Sequence, residues 1–227
     1  MESKQSTLRA VRIWDLPTRL FHWLLVVLFA FSYVSGEIGD DMLRWHFLSG
    51  YAIMTLLLYR IVWGFVGSRT ARFSDFIKGP AATLHHLRDM FGSARSKDVG
   101  HNPLGGWMIV VLLVLLLVQV GTGLFSQDRN LNFGPLALLV SNDTSHFLKE
   151  IHETTVNILL VLIGLHVAAV LFYLVFKREN LVLAMLSGEK QLDLPPGTEP
   201  RQSSPWLALL VLIVCAAIVY GIVRLGG

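Results

Sequence analysis

The stretch HETTVNILLVLIGLH, residues 152–166, decides the fold, because it is a membrane-compatible segment with a histidine at each end. In an α-helix, residues 14 positions apart lie on the same face and about 21 Å apart along the axis. His152 and His166 would therefore point to one side of the helix, one near each face of a hydrocarbon core about 30 Å thick. Since an ionisable side chain inside a membrane is costly, such a residue is a functional candidate by default.

Five segments are apolar and long enough to cross a membrane as helices, which takes roughly 20 residues. They are residues 19–35, 43–66, 106–125, 152–176 and 206–223. The whole chain is 53% hydrophobic and only 15% charged, whereas soluble domains carry about 25% charged residues. The sequence therefore predicts an all-α membrane protein with five transmembrane helices.

The distribution of Lys and Arg predicts the orientation, because cytoplasmic loops of membrane proteins carry an excess of these residues. Five spans place the two termini on opposite sides of the membrane. With the N-terminus inside, all but four of the 19 basic residues lie on the cytoplasmic face. The four left outside are Arg44, Arg129, Lys149 and Arg224. We expect a cytoplasmic N-terminus and an external C-terminus.

Two further histidines lie inside apolar segments, at depths that match those of the first two. His22 follows the cytoplasmic start of the first span, and His46 follows the external start of the second. The fourth span enters from outside, so His152 lies near the outer face and His166 near the inner one. The depths predict two pairs, His22 with His166 and His46 with His152. Such pairs suit the axial ligation of two haem irons stacked across the bilayer in a four-helix bundle.

Three residues near these histidines are suited to support a haem. Gly50 lies one turn beyond His46 on the same face, where a missing side chain leaves room for a flat porphyrin. Arg60 is 14 residues after His46, so it faces the bundle near the inner pair and can bind a haem propionate. Arg19, three residues before His22, is a second candidate for a propionate contact.

The remaining histidines are weaker ligand candidates. His85 and His86 lie in a predicted short cytoplasmic helix, and we expect them at the membrane interface. His146 lies in the predicted outer loop without a partner. His101 precedes the Asn-Pro sequence that opens the third span. We predict a loop or cap residue there, with contact to the inner haem as the alternative.

The chain has a single cysteine, Cys215, in the last apolar segment. One cysteine excludes a disulfide framework, a thiolate iron–sulfur site and a CxxCH attachment of haem. Any haem must therefore be bound non-covalently, and Cys215 is expected to be a small apolar side chain that faces lipid or a helix. No patch of Lys and Arg interleaved with aromatic residues indicates nucleic acid as a partner.

The sequence divides into three parts. Residues 1–185 form the predicted four-helix core, with a short helix at residues 80–91 and a long outer loop at residues 126–151. Residues 186–205 are rich in Pro and Ser and indicate a cytoplasmic linker. Residues 206–224 are an additional transmembrane helix, which carries no histidine and is expected to pack outside the haem core.

Four stretches of the chain carry a resemblance to a known family. They are WDLPTRLFHW around His22, RWHFLSGY around His46, GHNPLGGW at the start of the third span, and the stretch from His152 to His166. Over residues 11–185 the chain resembles the prokaryotic cytochrome b561 family, which includes the cytochrome b subunits of nickel–iron hydrogenases. The resemblance implies a four-helix bundle with two b haems and the four histidines as axial ligands.

The same resemblance implies respiratory electron transport at the bacterial inner membrane. Such a cytochrome exchanges electrons between a quinone pool, ubiquinone or menaquinone, and a redox partner in the membrane or periplasm. That partner would be a c-type cytochrome or a hydrogenase-like subunit. We favour an electron-transfer subunit over a stand-alone oxidoreductase, since ligation by two imidazoles leaves the iron no open position.

Two alternatives remain open. A member of the same family could itself oxidise superoxide and reduce quinone, which would need a basic outer funnel. The outer face instead offers the acidic residues Glu37, Asp40, Asp41, Asp128 and Asp143. A histidine-lined transporter of metal ions or protons, without haem, would place carboxylates deep in the membrane. No acidic residue lies deep in any predicted span.

Overall fold

A computed structural model describes residues 8–89, 99–127, 133–195 and 197–225, which form a mostly helical protein. The helices in chain order are α1 (Leu16–Ile38), α2 (Leu43–Val66), α3 (Phe73–Phe76), α4 (Pro80–Asp89), α5 (Pro103–Phe125), α6 (Asn142–Val175), α7 (Leu181–Ser187) and α8 (Pro205–Arg224). Two short strands, β1 (Arg9–Arg12) and β2 (Glu189–Leu192), pair with each other. We call the end of the bundle that carries these strands the inner end, and the opposite end the outer end.

The five predicted spans are confirmed, since α1, α2, α5, α6 and α8 are long and apolar enough to cross a membrane. α2 has the predicted bounds, whereas α1 and α5 each begin three residues before the predicted span. The reason is capping by a side-chain oxygen, which binds a free backbone N–H in the first turn. Asp15 Oδ1 accepts a hydrogen bond from Thr18 N, and Asn102 Oδ1 accepts one from Gly105 N, both at 2.7 Å.

The outer loop predicted at residues 126–151 is wrong in its second half, because α6 begins at Asn142. Ser141 caps this helix by accepting a hydrogen bond from Thr144 N at 3.2 Å. With its 34 residues, α6 is about 51 Å long, well beyond the hydrocarbon core. Hydropathy locates only the apolar part of such a helix, so His146 lies on α6 rather than in a loop.

The short cytoplasmic helix predicted at residues 80–91 is present as α4, which packs against α5. Residues 90 and 91 lie outside the part of the chain that the structure describes. The same holds for Asp128 and Arg129 of the predicted outer loop.

A small antiparallel sheet lies at the inner end, where the sequence predicts a linker at residues 186–205. β2 pairs with β1 so that Gln191 lies opposite Ala10. Between α7 and β2 the chain turns at Gly188, whose φ of 87° favours glycine. The Gly188 carbonyl accepts hydrogen bonds from Ile13 N and Trp14 N at 2.9 and 3.1 Å. The strands lie far apart along the chain, so no local pattern indicates their pairing, and the all-α prediction misses them.

Helix packing leaves α6 open on one side. α1 packs along α2, α5 packs along α6, and α2 contacts α5. α8 packs against α2 and, less extensively, against α1, and it buries Cys215 and Val219. Across the described residues, none of the extensive helix contacts joins α6 to α1 or α2. The space between these helices is where the predicted ligands meet.

Candidate functional site

The structure brings His46 of α2 and His152 of α6 together at the outer end. Their ring centroids are 6.1 Å apart, and the ring planes are inclined at 81°. His46 Nδ1 donates a hydrogen bond to the Ser32 carbonyl of α1, and His152 Nδ1 donates one to the Gln119 carbonyl of α5, both at 2.8 Å. A carbonyl can only accept, so each Nδ1 carries the proton and each Nε2 keeps its lone pair.

Two glycines let neighbouring helices approach these rings. A Cβ atom on Gly36 would lie 3.1 Å from His46 Nδ1, and one on Gly123 would lie 3.0 Å from His152 Cε1. Sequence reasoning missed both glycines and selected Gly50 instead. A Cβ on Gly50 would meet no protein atom within 4 Å among the described residues. Gly50 therefore borders open space beside His46, whereas Gly36 and Gly123 lie in close contact with the two histidine rings.

A cavity of about 370 Å³ opens around the outer pair. Residues of α1, α2, α5 and α6 line it, and Gly50 is among them. Most of the lining is apolar, with polar groups that include Gln119, Lys149 and Glu153. Lys149 Nζ is 3.2 Å from Glu153 Oε1, so this cation is paired. The cavity can take a flat, largely apolar group that reaches both imidazoles.

The inner end holds His22 of α1 and His166 of α6, close enough for a charge on one ring to affect the other. His22 Nδ1 is buried and has no hydrogen-bond partner among the described residues. His166 is half-buried on the same helix as His152. The inner pair therefore joins the same two sides of the bundle as the outer pair, and no carbonyl of the described residues binds His22 Nδ1.

Arg60 of α2 is a buried cation near the inner pair, with only 3% of its surface exposed. Its guanidinium lies over the rings of Phe73 and Phe76, with Cζ 5.1 and 5.7 Å from the ring centroids. Arg60 interacts electrostatically with Asp15. The two oxygens of Asp15 already accept hydrogen bonds from Thr18 N and Trp63 Nε1. Arg60 Nη1 has no hydrogen-bond partner in the described part of the chain.

Arg19 reaches the inner-end segment that follows α6. Its Nη2 donates a hydrogen bond to the carbonyl of Leu186 in α7. Its Nε is buried without a partner among the residues described. One guanidinium nitrogen thus helps to hold α7, and another remains available for an anion.

His101 belongs to the inner cluster, although it precedes α5 as the sequence predicts. Its ring packs between Trp14 and Phe76, with centroids 4.4 and 4.9 Å away. Burial first, and then the charges of Arg60, His166 and His22, lower the pKa of His101 to about 3. The ring is therefore neutral at pH 7. Its Nδ1 has no hydrogen-bond partner within the described ranges.

The other histidines lie away from both pairs. His86 of α4 is half-buried, with Nε2 3.3 Å from the hydroxyl of Tyr173. His85 on the same helix is exposed, and so is His146 near the start of α6. Among the described residues, no group of three or more His, Cys, Asp and Glu side chains is arranged to hold a metal ion. These intramembrane histidines come as pairs, and two imidazoles alone do not complete the coordination of a metal ion.

A family model described as prokaryotic cytochrome b561 matches residues 13–188. The chain belongs to the prokaryotic cytochrome b561 family. The match spans α1 to α7 and includes all four intramembrane histidines, while α8 lies beyond it. Membership makes the protein a multi-pass membrane cytochrome of electron transport that binds b-type haem.

Relatives of this chain are named as B-type cytochrome subunits of Ni/Fe hydrogenases. It is 25% identical over 214 residues to the probable Ni/Fe-hydrogenase B-type cytochrome subunit of Bradyrhizobium diazoefficiens, covering 80% of this chain and 86% of that protein. It is 26% identical over 155 residues to the probable Ni/Fe-hydrogenase 1 B-type cytochrome subunit of Escherichia coli strain K12, covering 56% of this chain and 65% of that protein. No solved structure shows significant similarity to the chain.

Proposed function

We propose that the protein is a di-haem b-type cytochrome that moves electrons across the membrane between a quinone pool and a redox partner protein. The pairing of His46 with His152, at a centroid distance of 6.1 Å, carries this proposal. Two imidazoles that bind one metal from opposite sides, each through a bond of about 2 Å, have centroids about 6 Å apart. The outer pair thus has the spacing that axial ligation of one haem iron requires.

The backbone carbonyls of Ser32 and Gln119 prepare the outer pair for iron. A histidine that binds a metal commonly donates its other ring N–H to a carbonyl, which fixes the tautomer and the ring orientation. Both Nδ1 atoms make this bond at 2.8 Å, so both Nε2 lone pairs are available. Two imidazoles leave a haem iron no open position, which supports electron transfer rather than oxygen chemistry.

The surroundings of the pair favour haem over a bare metal ion. Among the residues described, no third ligand side chain joins a histidine pair, and a porphyrin brings its own four nitrogens. Gly50 borders the largely apolar cavity with open space beside it. This is the clearance that a porphyrin next to His46 needs, so we assign that role to Gly50.

The inner pair is the proposed site of the second haem. His22 and His166 are its axial ligands, and the electrostatic interaction of the two rings supports their pairing. Haem propionates are carboxylates, which arginine binds through strong charge-assisted hydrogen bonds. Arg60 Nη1 and Arg19 Nε are buried donors without partners among the described residues. We propose both arginines as propionate contacts at the inner end.

When bound, haem b supplies a one-electron iron couple at each site. His46 and His152 would hold one haem and His22 and His166 the other, at two depths of the bundle. We place the four-helix core at residues 1–185, with residues 206–224 as a helix outside it. The location is the bacterial inner membrane, with a cytoplasmic N-terminus. Ubiquinone or menaquinone serves at one end, and a hydrogenase-like subunit or c-type cytochrome serves as partner.

Haem stoichiometry tests the proposal directly. The full chain, expressed with ample haem and purified in detergent, should contain two haem b per chain in a pyridine haemochrome assay. Both should show the absorption of six-coordinate low-spin iron. A single haem per chain would overturn the di-haem proposal. A folded, colourless protein that binds metal ions would instead support the transporter.

A further inference from the structure

We propose that His101 is a positioning residue for the inner haem, which donates a hydrogen bond from Nδ1 to the propionate that Arg60 binds. This inference rests on the proposed function, because it assigns a role toward a haem between His22 and His166. It adds a residue that is neither an axial ligand nor charged.

The side chains of His101 and Arg60 flank one aromatic ring. Phe76 has the His101 ring 4.9 Å from its centroid and the Arg60 Cζ 5.7 Å from its centroid. His101 also interacts electrostatically with Arg60, His166 and His22. One small region therefore holds a cation, a neutral imidazole and the proposed inner ligands.

Each of the two side chains keeps a buried nitrogen without a partner. The atoms are Arg60 Nη1 and His101 Nδ1, and neither meets a hydrogen-bond partner among the described residues. Native proteins rarely leave a buried donor without an acceptor, because its lost hydrogen bond to water is not replaced. We assign the ring proton of His101 to Nδ1, so both atoms are donors around one ring, and none of the described residues supplies their acceptor.

The shared acceptor is expected to be a carboxylate rather than a neutral group. Arg60 carries a charge in a buried environment, and buried charges are normally paired. The nearby Asp15 does not meet this need alone, since Thr18 N and Trp63 Nε1 already donate to its two oxygens. A haem bound by His22 and His166 brings propionate carboxylates to this bundle. A propionate can accept from both donors.

A purely structural role does not account for His101. The cap of α5 is made by Asn102, whose side chain accepts from Gly105 N. Packing alone would be met by any flat ring between Trp14 and Phe76. What only histidine adds here is an N–H held in a fixed direction by two aromatic neighbours. Hydrogen bonds of this kind tune a cofactor's potential.

The test measures the midpoint potential of the inner haem in the full chain. His101→Phe keeps an aromatic ring and removes the N–H, whereas His101→Gln keeps a donor. A propionate without its hydrogen bond bears more negative charge, which favours ferric iron. His101→Phe should therefore lower the inner potential by up to a tenfold change in the redox equilibrium, about 59 mV for one electron. His101→Gln should restore most of the loss, and His146→Phe on the exposed part of α6 should change nothing.

The inner haem is identified as the transition that survives in His152→Ala. Loss of the inner haem from His101→Phe with retention in His101→Gln would also support the inference. Equal inner potentials in wild type and His101→Phe, with two haems bound in both, would overturn the inference alone. Equal changes in His101→Phe and His101→Gln would overturn it too, because the ring rather than its N–H would matter. A wild-type chain without an inner haem would overturn the proposed function itself.

Discussion

The outer and inner histidine pairs differ in what the protein itself supplies to orient them. At the outer end, His46 and His152 each have Nδ1 bound to a carbonyl at 2.8 Å. At the inner end, His22 Nδ1, His101 Nδ1 and Arg60 Nη1 are buried without partners among the described residues. Buried polar groups are nearly always hydrogen-bonded in native proteins. The chain thus orients the rings of the outer pair, whereas the inner end keeps buried polar atoms without partners among the described residues, which we propose that a bound haem satisfies.

The outer pair is oriented by the same arrangement of a backbone carbonyl and a glycine on each of two helices, α1 and α5. On α1, Ser32 offers its carbonyl to His46, and Gly36 one turn later lies against the same ring. On α5, Gln119 and Gly123 do the same for His152. A carbonyl at one position and a glycine four residues later thus form a repeated support. Because His22 Nδ1 has no such carbonyl partner among the described residues, substitutions at Gly36 or Gly123 should act on the outer site alone.

The largest expected effect comes from removal of one outer ligand. His152→Ala should lower the haem content from two per chain to one, because the outer iron loses an axial bond while the inner pair keeps both of its ligands. His46→Ala should give the same result. His22→Ala and His166→Ala should share the converse result and lose the inner haem. Pyridine haemochrome content measures the loss, and a redox titration shows which transition remains.

His146→Ala is the matched control for this series, since His146 lies on the same helix as His152 but is exposed. It should keep both haems. Loss of both haems from His152→Ala in a bundle that still folds would contradict the separation of the two sites. The outer and inner ends would then not be independent haem sites.

A side chain at position 50 should have the next largest effect. This substitution distinguishes a clash with the cofactor from a defect in protein packing. A Cβ there meets no protein atom within 4 Å across the described residues, so the chain alone tolerates a larger residue. A porphyrin beside His46 would leave no room for a larger side chain at this position. Gly50→Leu should therefore lose most of the outer haem and keep the inner one, as measured by haem content and thermal unfolding in detergent.

Gly164→Leu is the control for this change, because Gly164 is exposed on α6 and a Cβ there also meets no atom of the described chain within 4 Å. It should leave the haem content at two. If Gly50→Leu retained the outer haem in full, the assignment of Gly50 to porphyrin clearance would be wrong.

Much of the fold follows from the sequence because membrane depth reduces the problem to one dimension. Hydropathy alone predicts the bounds of α2, and helical periodicity alone predicts that His152 and His166 share a face. The meeting of His46 with His152 follows from their matched depths, although their role as ligands stays a prediction. Hydropathy gives no signal where a helix leaves the membrane, as at the polar first turns of α6, which begins at Asn142 after the Ser141 cap.

The rest depends on contacts between segments that are distant in sequence. The pairing of β1 with β2 joins segments that are far apart along the chain, and no periodicity within either strand indicates it. Gly36 and Gly123 have their role only because a neighbouring helix brings a ring to about 3 Å. Likewise, His101 is a loop residue by its position along the chain. It becomes part of the inner cluster only through Trp14 and Phe76, which other segments supply.

The smallest effect considered, and the sharpest test of preorganisation, concerns Gly123. A Cβ at this position would lie 3.0 Å from His152 Cε1, so alanine must displace the ring or the helix. Overpacking of this kind costs about 1–3 kcal/mol, a weakening of outer-haem binding by up to about 100-fold. Gly123→Ala should therefore speed the transfer of the outer haem to excess apomyoglobin and leave the inner haem unaffected.

Gly121→Ala is the matched control, because a Cβ on Gly121 would meet no protein atom of the described chain within 4 Å. Equal transfer rates for the two variants would show that the close contact of α5 with His152 does not hold the ring. Haem binding would then determine the geometry of the outer site, as we propose for the inner site.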